Sequence, residues 1–378
     1  MVFLGPSLPL QDAQVILRAT YRPPVQKGDV YALLTSGARR IVIIDGIFHS
    51  GPSVWQREIL TAMDEGIEVL GASSMGALRA AELHAFGMIG MGAVFAQYRD
   101  GVLDGDDEVA LHHSIADLGY RALSVPLVNL RMTLARAREA RLVTSDEELA
   151  LVTELKRTHY PERSYRRMLE SSLVRAWPAA RRDALRTWIG DHAVDAKAAD
   201  ARAVLAYCAA TPVGDAGLPG ERVDPWNLEF RHVALSYRRL VHGRRTLAWT
   251  DLKRGLRKAR PRWSAMLARV EARWRLTEQA RRRGIVCPAP VVDAYAARWR
   301  RERQVRDVGA WCRARGLTRR EHAELLAHHA HAAWLRASKV SLEAAEPLGS
   351  WIDLELAAIH EAQLTMPLAA LFAIGGRA

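Results

Sequence analysis

The stretch "VLGASSMGALRAAEL", Val69 to Leu83, decides the fold. An apolar run ends in small residues and two serines, and strong helix formers follow at once. That is the pattern of a buried strand turning directly into a helix. Ser74 stands at the junction. It reads either as an N-cap that satisfies first-turn amides or as the serine of an A-x-S-x-G nucleophile elbow, Ala72 to Gly76. In the second reading the free amides of Met75 and Gly76, with the helix dipole behind them, form an oxyanion hole. Ser73 is the neighbouring hydroxyl. No G-x-x-x-x-G-K or G-x-G-x-x-G phosphate loop accompanies the serines.

Working outward, "RRIVIIDGIF" holds a continuous apolar run, Ile41 to Ile44, closed by Asp45-Gly46, and reads as a buried strand. Between it and Val69 lies "GPSVWQREILTAMDEG", a helix for which Ser53 and Gln56 fit a capping box and Gly66 a C-terminal stop. Strand, helix and strand then form a right-handed crossover with parallel strands. Their carboxyl ends share one edge, so Asp45, His49 and Ser74 are expected in one crevice there. Upstream, "MVFLGPSLPL" lacks the basic region of a signal peptide and reads as a first strand. "QDAQVILRA" and "KGDVYALLTSG" read as short helices broken by Pro23-Pro24. Downstream, "MGALRAAELHAFG" is a helix ended by Gly87.

From about residue 125 the pattern is nearly all helical. "LVNLRMTLARAREARLV" reads as one long helix, and "SDEELALVTELKRTHY" opens with a cap from Ser145 to Glu148. Residues 210–227, rich in Gly, Pro and Asp, form a loop. The fold expected is an α/β N-terminal domain, residues 1–140, with a mostly parallel sheet and crossover helices, followed by a basic, mainly helical region, 141–378. Charge supports that division. Residues 1–150 hold 13 Lys and Arg against 18 Asp and Glu, and 151–378 hold 41 against 24. A basic helical region suits an acidic protein surface or nucleic acid. Three separated cysteines point away from a disulfide frame and toward a reducing, cytoplasmic setting. No span of about 20 apolar residues predicts a membrane helix.

Several side chains carry two readings. Asp45 caps a turn or belongs to the site. His49 is a loop residue or a titrating group. Arg79 and Glu82, three apart on one helix, form a surface pair, or Arg79 contributes to binding. Asp104, Asp106, Asp107 and Glu108 lack EF-hand spacing and read as a cap or a partner-facing acidic loop. His322, His328, His329 and His331 show no zinc motif, so no metal and no cofactor is expected. Trp263, Trp274, Trp299 and Trp311 lie among arginines, a pattern that suits packed amphipathic helices better than base stacking.

Five blocks in register, "FLGPSL", "YRPPVQKGDVYALL", "IIDGIFHSGPSVWQREIL", "GASSMGALRAAELHAFGM" and "YRDGVLDGDDEVALHH", resemble the TfuA-like family over roughly residues 3–133. The resemblance implies an accessory protein of YcaO-dependent peptide-backbone thioamidation. Such a protein hydrolyses the C-terminal thiocarboxylate of a ThiS-like sulfur carrier, releases sulfur to the YcaO enzyme and assists its encounter with the precursor peptide. It also implies a Ser–Lys pair, with Ser74 as the serine. Relatives carry lysine where "QREIL" places Arg57; with arginine there the protein is slow, or uses Lys27 or His49 as base, or only binds the thiocarboxylate, and Arg57 neutralises an anion. Arginine keeps its proton and cannot act as a base. Two other functions compete: a non-catalytic module docking carrier to YcaO, and, more weakly, a nucleic-acid-binding helical protein.

Overall fold

In a computed structural model, residues 1–48, 51–213, 236–242, 245–338, 351–366 and 368–375 are described. The chain forms two compact units, one of Met1–Val30 with Ala38–Val223, the other of Tyr31–Gly37 with Asp224–Ala378. Charge changes sign near residue 150, whereas packing divides the chain later. The reason is a helix far along the chain that packs against the sheet.

The first unit is built on five strands: β1 (Val2–Phe3), β2 (Tyr21–Arg22), β3 (Arg40–Ile43), β4 (Glu68–Ala72) and β5 (Ile89–Met91). They lie in the order β2-β1-β3-β4-β5, and every pair is parallel. The expected α/β class with a parallel sheet and a helical remainder therefore holds. Helices α1 (Leu10–Ile16), α2 (Asp29–Leu33), α3 (Gln56–Asp64), α4 (Met75–Leu83) and α5 (Ala93–Arg99) connect and follow these strands. Six more complete the helical part: α6 (Leu127–Glu139), α7 (Ser145–Arg157), α8 (Tyr165–Leu169), α9 (Ser172–Arg175), α10 (Ala179–His192) and α11 (Ala196–Ala210).

Strand alternation decides which face each helix covers. Val42, Ile44, Leu70 and Ala72 pack with Ala13 of α1 and with Ala201, Val204 and Leu205 of α11 in one core. Each fully buried aliphatic side chain there contributes about 1.5–3 kcal/mol. The opposite face takes α4 at minimal separation. A Cβ on Gly76 would lie 1.8 Å from the Ile43 carbonyl oxygen, and one on Gly71 would lie 2.1 Å from the Gly76 carbonyl oxygen. Only glycine allows that approach. Gly76→Ala should therefore cost about 3 kcal/mol or more, read as a lowered denaturation midpoint with unchanged slope.

Local corrections follow from capping chemistry. Helix α3 starts at Gln56 with the Glu58 carboxylate accepting the Trp55 N–H at 3.3 Å, while the Ser53 hydroxyl donates to the Ile47 carbonyl at 2.7 Å. At α7 the box is Thr144 with Glu147, one residue earlier than Ser145 with Glu148. The long helix expected from residue 127 stops at Glu139, and Arg141 follows at φ +60°. Three of the four acidic side chains make ion pairs within the first unit. Asp104 pairs with Lys156 at 2.6 Å, Asp107 with Arg163 at 2.7 Å, and buried Glu108 with Arg131 at 2.8 Å.

The second unit is mainly helical but opens with a hairpin missed in the helical pattern, β6 (Arg239–His242) against β7 (Arg245–Ala248). Leu252, Leu256, Val270, Ile359 and Leu371 form one core, and Trp299, Cys312, Leu325 and Leu326 another. Trp263 and Trp299 are buried, and Arg315 stacks on Trp311 at 3.9 Å. Trp274 and Trp311 are half-buried. The His322 ring packs on Trp299 at 4.7 Å, and burial pushes its pKa down to about 4. Among the described residues no group of His, Cys, Asp or Glu is arranged to hold a metal ion, and no helix is long and apolar enough to cross a membrane.

Candidate active site

Strand β4 ends at Ala72 and α4 begins at Met75, so two residues make the whole turn. Ser73 takes φ +70°, a left-handed conformation costly for a residue with a Cβ. Ser74 follows at φ −125°, ψ −120°, its N–H donating to the Ala72 carbonyl at 2.8 Å. The Ser73 hydroxyl is fully buried with no partner among the described residues. Ser74 occupies the N-cap position, yet its side chain makes no capping hydrogen bond. It lines a cavity of about 440 Å³ instead. The simple N-cap reading of Ser74 therefore lacks its defining bond.

The oxyanion hole is half of what the sequence pattern implies. The Gly76 N–H donates to the Ile44 carbonyl at 3.3 Å, because glycine lets α4 press against β3. It is occupied. The Met75 N–H has no such acceptor among the described residues, and the dipole of the nine-residue α4 stands behind it.

The cavity lies at the carboxyl ends of the parallel strands, where open α/β sheets place their sites. Asp45, Gly46 and Ser74 line it with Arg22, Tyr160 and Lys197. Asp45 is buried. Its carboxylate accepts the N–H groups of Gly5 and Ser7 at 2.9 and 3.0 Å and the Ser7 hydroxyl at 2.6 Å, fixing the loop after β1.

Lys197 was not singled out by the sequence. It is the second residue of α11, almost fully buried, and its ammonium donates to the Val109 carbonyl at 2.8 Å. Asp45 Oδ1 lies 3.9 Å from Lys197 Nζ. Burial pushes the Lys197 pKa below the ordinary lysine range, against the opposing pull of Asp45 and Asp195. A signal for it existed. The chain holds only six lysines among 54 basic residues, and Lys197 sits in the alanine-rich run "AKAADARAVLAY".

The other basic candidates lie elsewhere. The Lys27 ammonium stands over the Trp55 ring, 3.5 Å from its centroid, and Lys27 does not line the cavity. Arg57 lies in the first turn of α3 and does not line it either. Arg79 donates to the Val54 carbonyl at 3.1 Å and pairs with Glu82 at 2.8 Å. His49 lies outside the described residues. Accordingly Lys27→Ala and Arg57→Lys should each change turnover at the cavity by less than about three-fold, a comparison best made on folded proteins by initial rate.

No curated protein matches the chain. The family model described as TfuA-like protein matches residues 45–164, a span that includes Asp45 and Ser74 and ends before α11. The strained strand-to-helix turn and its uncapped serine lie inside the matched span, and residues 45–164 are thus similar to the TfuA-like family.

Proposed function

We propose that the protein hydrolyses the C-terminal thiocarboxylate of a small ThiS-like sulfur carrier and supplies the released sulfide to a YcaO enzyme. The observation that carries the reading is the shared cavity: a serine that forgoes its capping bond and a buried lysine of lowered pKa line the same space. Neutral Lys197 accepts the Ser74 hydroxyl proton as Ser74 Oγ bonds to the terminal acyl carbon. The Met75 N–H and the α4 dipole take the charge that develops on the acyl oxygen. The carbon–sulfur bond breaks, and the Lys197 ammonium returns its proton to the leaving sulfide. Water then attacks the seryl ester, Lys197 takes the water proton, and the ester breaks to free Ser74 and a carrier carboxylate.

This assignment replaces Lys27 and Arg57 with Lys197 as partner of Ser74. The test is direct: full-length protein mixed with thiocarboxylated carrier should release one sulfide per carrier converted to carboxylate, followed by sulfide trapping and intact-protein mass. Binding without conversion would leave a docking module and remove the hydrolase.

A further inference from the structure

We propose that Arg22 is a binding site for the terminal anion of an inserted chain, so that the cavity accepts free carboxylate or thiocarboxylate ends and rejects amidated ends and internal segments. The proposal rests on the hydrolase reading for its substrate and not for its geometry.

Arg22 closes β2 and is held there by backbone pairing. Its carbonyl accepts the Leu4 N–H at 3.0 Å, and Pro23-Pro24 stiffen the chain that follows. This places it on the same strand-end edge as Asp45 and Ser74, lining the same cavity. Its guanidinium makes no hydrogen bond and no ion pair among the described residues, and its Nε is buried without a partner. A buried donor left unmade is costly, more so on a charged group. Asp29, which also lines the cavity and feels the Arg22 charge, has its carboxylate engaged by the Gln26 N–H at 3.0 Å. The buried Nε is out of a ligand's reach, but the two Nη groups are not buried in this way and have no partner among the described residues, so they are what an anion entering the cavity meets, and a planar carboxylate matches their fork.

The chemistry of the cavity requires a second cation. Lys197 must be neutral to take a proton, so it cannot also hold an anion. Arg22 is the one arginine among the described residues that line the cavity, and it keeps its charge at any working pH. A thiocarboxylate carries a full negative charge that repels an incoming alkoxide. Pairing it with Arg22 removes that repulsion before attack, and the same pair then holds the carboxylate product. At about 440 Å³ the cavity has the size of small-ligand sites, which run from roughly 300 to 1,000 Å³. It suits a chain end rather than a folded domain.

The experiment uses full-length protein carrying Ser74→Ala, which binds without turnover. Its ligands are two synthetic hexapeptides with the carrier's last six residues, one ending in the free carboxylate and one in the amide. Calorimetry should show the carboxylate binding at least ~10-fold more tightly, the size of one charge-assisted pair. Adding Arg22→Met should reduce the difference to under two-fold, and Arg22→Lys should restore part of it. Equal affinities in the Ser74→Ala protein, binding of neither peptide, or discrimination that survives Arg22→Met would each overturn the proposal. The first comparison needs no change at Arg22, so a folding defect there does not decide it. Carboxylate discrimination without any sulfide release in the wild-type protein would sink the hydrolase and leave the anion site. Sulfide release with equal peptide affinities would do the reverse.

Discussion

Ser74→Ala should lower sulfide release from a thiocarboxylated carrier by at least ~100-fold while leaving the fold intact. The size follows from removing the attacking atom in a site whose other elements only assist. The fold should survive because the hydroxyl caps no helix amide, so the usual cost of about 1 kcal/mol for losing an N-cap does not apply. A measured stability within ~0.5 kcal/mol of wild type, together with the rate loss, identifies a reacting group. A large stability loss with proportionate rate loss would return Ser74 to a structural role. Ser73→Ala provides the contrast. Its hydroxyl is buried and unpartnered, so its removal should leave the rate within a few-fold of wild type.

Lys197→Arg should cost ~100–10,000-fold in the same assay, the range for losing a general base, because arginine retains its proton. Lys197→Met should cost as much. In the wild-type protein the rate should climb with pH as Lys197 deprotonates and level off below the ordinary lysine pKa of about 10.4, since burial lowers the folded value. A plateau only above that value, or the same rise in Lys197→Met, would remove Lys197 as the base.

Stability supplies an independent reading of the same group. The Lys197 pKa is lower in the folded than in the unfolded chain, so between the two values the unfolded chain binds more protons and stability rises with pH. The cost of the buried ammonium is present in full below the folded pKa and fades as pH climbs toward 10. Relative to Lys197→Met, wild-type stability should therefore increase from neutral pH to pH 10. A difference that stays flat across that interval would mean the folded pKa is not lowered. Val109 loses its donor equally at every pH in the methionine variant, so that loss shifts the curve without tilting it.

Local pattern by itself determined the centre of the sheet and the turn. The Ile41–Ile44 run, the Val69–Ala72 run and the small residues around Ser74 carry their structure in neighbouring side chains, so the β3–α3–β4–α4 crossover and the edge where its strands end were readable. Strands β2, β5 and the β6–β7 hairpin were not. Two to four residues show no period, and such strands exist only because a partner strand supplies their hydrogen bonds. Whether Ser74 caps a helix or faces a cavity is likewise a matter of side-chain direction at a strained φ, and composition is blind to it. The same holds for Gly76, whose amide is taken by Ile44 because two glycines let α4 touch the sheet. Lys197 and Arg22 mark the limit most clearly. Each is an ordinary basic residue in its own segment. Only tertiary packing buries one against the Val109 carbonyl and leaves the other's Nε without an acceptor, bringing both to one cavity beside Ser74 from opposite ends of the first unit. Burial and unmet hydrogen bonds give these groups their chemistry, and both are created by segments distant in the chain.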